Sequence, residues 1–180
     1  MDTENHAPPT IGFYIKLALL SWFSMIGFDF FLHAGLLSQV YSQPSPFLLP
    51  LDLAFAYIPI GYISFLIFGV FLLWLMLKLK LQRWKQGFIF GLQVGSLTWG
   101  AFSLGLFSIA TVPPTLLVAW FLGQTIELGI GGGVIGYGMT QRSLRRLFVP
   151  VFFFVIVSVV IAIVLQNIGF AQVPVITNGS

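Results

Sequence analysis

Three ionisable residues, Asp29, His33 and Glu127, stand inside stretches that otherwise hold almost only apolar side chains. An acidic side chain at the centre of a membrane helix costs at least roughly 2.5–3.5 kcal/mol, so such groups persist where they are paired, protonated or hydrated. Asp29 and His33 are four residues apart, hence on one helical face and within reach of each other. Trp22 and Met25 continue that face. Trp120, Gln124, Glu127 and Gly131 form a second stripe of similar spacing, and Gln93 and Thr98 are further polar candidates. The chemistry open to this set is binding of a small molecule or ion, or exchange of a proton.

Charge sharpens that expectation. His33 is the one cationic side chain within reach, because Lys16 sits at the other end of the same helix. If a protonated His33 pairs with Asp29, Glu127 lacks a partner of opposite sign. Burial and a neighbouring like charge both disfavour a carboxylate. Glu127 is therefore expected to hold or exchange a proton near neutral pH, to bind a cation, or to face a hydrated pocket. With a helical rise of about 1.5 Å per residue, Glu127 falls near the bilayer centre, Asp29 about 6 Å outward and His33 about 12 Å outward. The two carboxyls meet if the first and fourth spans are neighbours. The plainer alternative is an Asp29–His33 packing pair with Glu127 as a protonated hydrogen-bond donor.

No catalytic residue, cofactor or metal is assigned. Zinc hydrolases of membranes use several histidines and haem between helices wants two, yet the spans supply only His33. Ser24, Ser64 and Ser103 have no neighbouring base in the sequence. Cysteine is absent, which excludes thiolate metal sites and disulfides.

The elements that position these residues follow from composition. Hydrophobic residues make up 58% of the 180 and charged residues 7%, where a soluble domain needs about 25% charge to cover its surface. That excludes a soluble enzyme, a nucleic-acid-binding domain and any large extramembrane domain. The expected fold is all-α, a polytopic transmembrane bundle with five spans at about residues 11–37, 53–77, 88–110, 115–139 and 147–165. They form a single domain over 11–170 between polar tails at 1–10 and 171–180. Asp52 is placed to cap the second span and Pro59 to bend it. His6 and Asn178-Gly179-Ser180, a glycosylation-type tripeptide, fall in the tails and carry no role. A loop with Pro44, Pro46 and Pro50 follows the first span.

Lys78, Lys80, Arg83 and Lys85 in one connection, with Arg142, Arg145 and Arg146 in another, make seven of the eight basic residues. The positive-inside rule puts both connections in the cytoplasm, the N-terminus inside and the C-terminus outside. These residues act as topology anchors. Trp74 and Trp84 on the inner side, with Tyr41 and Tyr57 on the outer, suit interfacial belts.

Helices in lipid associate through close packing at small residues. Gly87, Gly91, Gly95 and Gly100 in the third span, with Gly129, Gly132, Gly133 and Gly136 in the fourth, mark both as interior helices. The fifth span, apolar all round with Ser158 its one polar member before Gln166, is expected at the periphery. Spans one to four would then surround the polar centre.

In make-up the chain resembles small multi-pass bacterial membrane proteins, which implies the bacterial cytoplasmic membrane; no residue roles come with so general a likeness. Its expected partners are the lipid bilayer, a small-molecule or ion ligand, and a second copy or a membrane partner protein, with no nucleic acid. Two functions follow. One is a site at Asp29, His33 and Glu127 for binding, or for proton- or cation-coupled transport of a small solute. The other is a non-catalytic assembly subunit that packs through its glycine-rich third and fourth helices.

Overall fold

The computed structural model describes residues 10–43, 46–141 and 143–171. The tail residues 1–9 and 172–180, including His6 and Asn178-Gly179-Ser180, lie outside the described residues, as do Pro44 and Arg142. The described residues are all helical, with no strand: α1 (Ile11–Phe31), a π-helical turn (Leu32–Leu36), α2 (Ser38–Tyr41), α3 (Leu51–Lys78), α4 (Trp84–Ile109), α5 (Pro114–Gly138) and α6 (Arg145–Asn167). Five helices are long and apolar enough to cross a membrane, counting α1 with its π turn as one. They match the five expected spans.

Local chemistry sets several ends. The Thr10 hydroxyl accepts from the Phe13 N–H at 3.4 Å and so caps α1. α3 starts directly after Pro50, so Asp52 stands in its first turn and not at the cap. Pro59 lies within α3, which continues past it. Pro114 opens α5 at a position where its missing N–H is no loss.

α5 is the central helix: half of its apolar stretch is buried, against 11% for α4. Leu17 and Met25 of α1, Leu72 and Met76 of α3, and Leu128 and Ile135 of α5 form the core, with Leu147 and Val151 of α6 against it. α4 packs chiefly on α5, antiparallel, along its glycines. A Cβ at Gly87 would overlap the Gly132 carbonyl and one at Gly91 the Leu128 carbonyl, while one at Gly95 would lie 2.8 Å from the Thr125 Cα. Gly136 lies as closely against the Arg83 carbonyl, whose own N–H donates to the Gly136 oxygen at 2.9 Å. Gly129 meets the Leu92 side chain, with 2.7 Å from a built Cβ to Cδ2. Gly100 and Gly133 are different: a Cβ at either finds ordinary contact at 3.5 Å.

Two placements differ from the sequence expectation. α4 is an outlying helix, because a glycine seam needs one partner and not a surround. α6 keeps an exposed outer face but docks on α1 and the π turn, with Gly27 against Val155 and Gly35 against Ala162. Gln166 donates to the Ala34 carbonyl in the π turn at 2.8 Å, and Gln39 donates to the Phe170 carbonyl at 2.8 Å. The freed backbone of the π turn thus finds a side-chain partner from α6.

Leu17 of α1 lies against Gly138 of α5, Leu147 of α6 lies there too, and Gly136 meets Arg83. The start of α1 and both basic connections therefore share one end of the bundle. Trp74 and Trp84 are exposed at that end and Tyr57 at the other, whereas Tyr41 turns inward onto His33.

Candidate functional site

The polar centre is built by α1 and α5, which are neighbours. Ser21 Oγ donates to the Gly131 carbonyl at 3.1 Å, and a Cβ at Gly131 would lie 2.7 Å from Met25 Sδ. Further along, a Cβ at Gly123 would lie 2.9 Å from Leu32 Cδ1. Between those two contacts the antiparallel register sets Asp29 level with Glu127. The two carboxyls lie within electrostatic reach of each other. The adjacency on which a shared site depends is present.

Glu127 is fully buried. Its Oε2 accepts from Gln124 Nε2 at 2.8 Å, one turn back on α5, and its Oε1 has no hydrogen-bond partner among the described residues. Asp29 is buried beside it. His33 Nδ1 sits 2.9 Å from Asp29 Oδ1 and 3.1 Å from the Asp29 backbone oxygen. Nδ1 thus stands within hydrogen-bond distance of both the backbone oxygen and Oδ1. The side chain of His33 is 37% exposed and that of Asp29 10%, so the imidazole stands at the mouth and the carboxyls behind it.

Aromatic rings close that mouth. The Tyr41 ring lies 4.1 Å from that of His33, and Phe47 lies 6.0 Å from Trp120. Burial, then the nearby Asp29 charge, push the Tyr41 phenol above its ordinary value against the opposing influence of the Trp120 indole, so it stays un-ionised through neutral pH. From α3, Tyr62 comes within electrostatic reach of both carboxyls.

Of the residues singled out in the sequence, Asp29, His33, Trp120, Gln124 and Glu127 gather here. Trp22 lies about two turns along α1, where its indole N–H donates to the Tyr62 carbonyl at 2.6 Å and ties α3 to α1. Gln93 and Thr98 are exposed on α4 and stand apart. Tyr41 and Tyr62 were missed. A tyrosine inside an apolar run seeks a polar partner, which is the available signal for Tyr62. The π turn between His33 and Tyr41 shifts the helical register and hides Tyr41 from a spacing argument.

The serines are engaged with backbone: Ser24 Oγ donates to the Ser21 carbonyl at 2.7 Å, Ser64 to Gly61 at 2.6 Å and Ser103 to Leu117 at 3.5 Å. Among the described residues no three His, Asp or Glu side chains come close enough to hold a metal ion. The arrangement can instead share a proton between two carboxyls, or offer carboxyl oxygens to a small cation or to a donor on a solute. Compared with protein-family models, with curated proteins and with solved structures, the chain matches none.

Proposed function

We propose that this is an integral protein of the bacterial cytoplasmic membrane, N-terminus inside and C-terminus outside. Its polar centre, Asp29 with Glu127 behind His33, binds a small solute or couples its transport to a proton or cation. One observation supports the reading: two buried carboxyls stand level on adjacent helices, and among the described residues Glu127 Oε1 has no hydrogen-bond partner while Asp29 Oδ1 has the half-exposed His33 imidazole 2.9 Å away. Leaving such a group unsatisfied is costly, and paired buried carboxyls are what exchange sites use. Six described basic residues, Lys78, Lys80, Arg83, Lys85, Arg145 and Arg146, in or beside the two connections at one end of the bundle support the orientation.

The test is proton flux in reconstituted vesicles under an imposed pH gradient. Flux above that of protein-free vesicles is expected from the wild type, with a loss of at least about tenfold in Asp29→Asn and in Glu127→Gln, as removal of an essential exchanging group demands. Flux unchanged in both variants would remove the coupling role from this site.

A second reading, an assembly subunit, has its own observation. The glycine seam of α4 is occupied within the chain, but Gln93 and Thr98 on the exposed part of α4 have no side-chain hydrogen bond among the described residues. At membrane depth such an amide favours another helix, by about 1 kcal/mol. Under this reading Gln93→Leu weakens association with a second copy or partner about fivefold, the equivalent of that energy, as read by single-molecule photobleaching or cross-linking. Equal association in wild type and variant would discard it.

A further inference from the structure

At the end of the bundle where the basic connections lie, α4, α5 and α6 leave an open apolar groove of about 500 Å³. Trp84 and Phe88 form one wall, Gly133 and Tyr137 the floor, and Pro150 and Phe154 the other wall. The groove stays wide because Gly133 has no side chain and Pro150 falls within α6. Its length follows from the helices: Leu147 to Phe154 spans seven residues, about 10 Å at the helical rise. Above its mouth stand two cations. The Lys85 ammonium lies over the Trp84 ring at 5.8 Å from its centroid, and Arg146 is one turn before Pro150 on the same face of α6. Neither pairs with a carboxylate among the described residues; Asp29 and Glu127 lie deep in the bundle.

We propose that this groove is a binding site for an anionic phospholipid, with one acyl chain between Trp84, Phe88 and Phe154 and the phosphate headgroup held by Lys85 and Arg146. The occupant follows from charge complementarity above an apolar channel that opens to the surrounding lipid. Tyr137 lines the groove and is exposed at the same end of the bundle, as an interfacial tyrosine would be. A zwitterionic lipid would fill the channel equally well but would gain less from the two cations. Each basic side chain near an anionic surface contributes about 1 kcal/mol, so the pair gives a preference of about thirtyfold.

The experiment uses the whole protein in phosphatidylcholine bilayers that contain a minor fraction of brominated phosphatidylglycerol or brominated phosphatidylcholine. Bromine quenches nearby indoles, and the difference between wild type and Trp84→Phe isolates Trp84 from the other four tryptophans. The expected result is quenching of Trp84 at about thirtyfold lower mole fraction of the anionic lipid, with the preference lost when Lys85→Gln and Arg146→Gln are combined. Both positions are exposed, so that variant folds. Gly133→Val, which fills the channel, is expected to remove Trp84 quenching by the anionic lipid at low mole fraction. Equal quenching by the two lipids would overturn the site. So would an anionic preference that survives the charge variant. Survival in a folded Gly133→Val would reduce the contact to ordinary lipid around the protein and overturn the groove.

Discussion

Gly91→Ala and Gly132→Ala are each expected to lower the melting temperature of the purified protein sharply, while Gly133→Ala and Gly100→Ala leave it nearly unchanged. All four glycines belong to the same pair of helices and would be equivalent by composition alone. The difference lies in what a Cβ would meet. At Gly91 it overlaps the Leu128 carbonyl, at Gly132 the Gly87 carbonyl, and backbone cannot swing aside as a flexible side chain can. At Gly133 and Gly100 the nearest atoms belong to Phe88 and Phe121 at 3.5 Å, an ordinary contact. Overpacking of one methyl group costs about 1–3 kcal/mol, and a clash with backbone belongs at the upper end or beyond. Because α4 holds to the bundle mainly through this seam, its loss frees α4 first. A melt that falls equally for all four variants would contradict the seam. Loss of association between chains without loss of monomer stability would mean that the glycines face another molecule.

Glu127→Gln and Glu127→Leu are expected to separate proton chemistry from packing. Glutamine has the volume of glutamate and supplies a carbonyl oxygen to Gln124 Nε2, which now donates to Oε2 at 2.8 Å. It has no exchangeable acid proton. Stability should therefore stay within about 0.5 kcal/mol, the range of a conservative exchange, while any proton-linked response disappears. Leucine removes the acceptor and leaves a buried Gln124 amide without a partner, which costs about 1–3 kcal/mol. Thermal melts beside the flux assay read both effects. If glutamine destabilises as much as leucine, Glu127 is ionised and its charge is satisfied in place, and a site that holds a proton is wrong.

The five long helices were legible because nothing but repeated apolar runs of about 20 residues accounts for so little charge in the chain. Their ends were less so: Lys78 and Trp84 belong to helices and not to the connection, since long amphipathic side chains at helix ends reach the interface without ending the helix. Asp29, His33, Gln124 and Glu127 announced themselves as polar groups in apolar surroundings. Whether Asp29 and Glu127 meet was not readable, because it depends on Gly131 and Gly123 letting α1 approach α5. Gln93 fell outside the site for a simple geometric reason: it is two residues from Gly91, on the opposite side of α4. Thr98 left the seam because contacts at four-residue spacing drift around a helix of 3.6 residues per turn. By that level the seam has reached Gly100, which faces Phe121. The role of α6 was hidden because Val155 and Ala162 look no different from lipid-facing residues until Gly27 and Gly35 are set against them.

The most direct test of the polar centre is the infrared spectrum of the protein in lipid at neutral pH, compared with Glu127→Gln and Asp29→Asn. A protonated carboxylic acid has a C=O stretch separate from that of a carboxylate. The wild type should show such a band, lost in Glu127→Gln and altered in Asp29→Asn because the two groups lie within electrostatic reach of each other. A spectrum with carboxylate bands alone, or an acid band that neither substitution touches, would mean that Asp29 and Glu127 hold no common proton and serve only to pack α1 against α5.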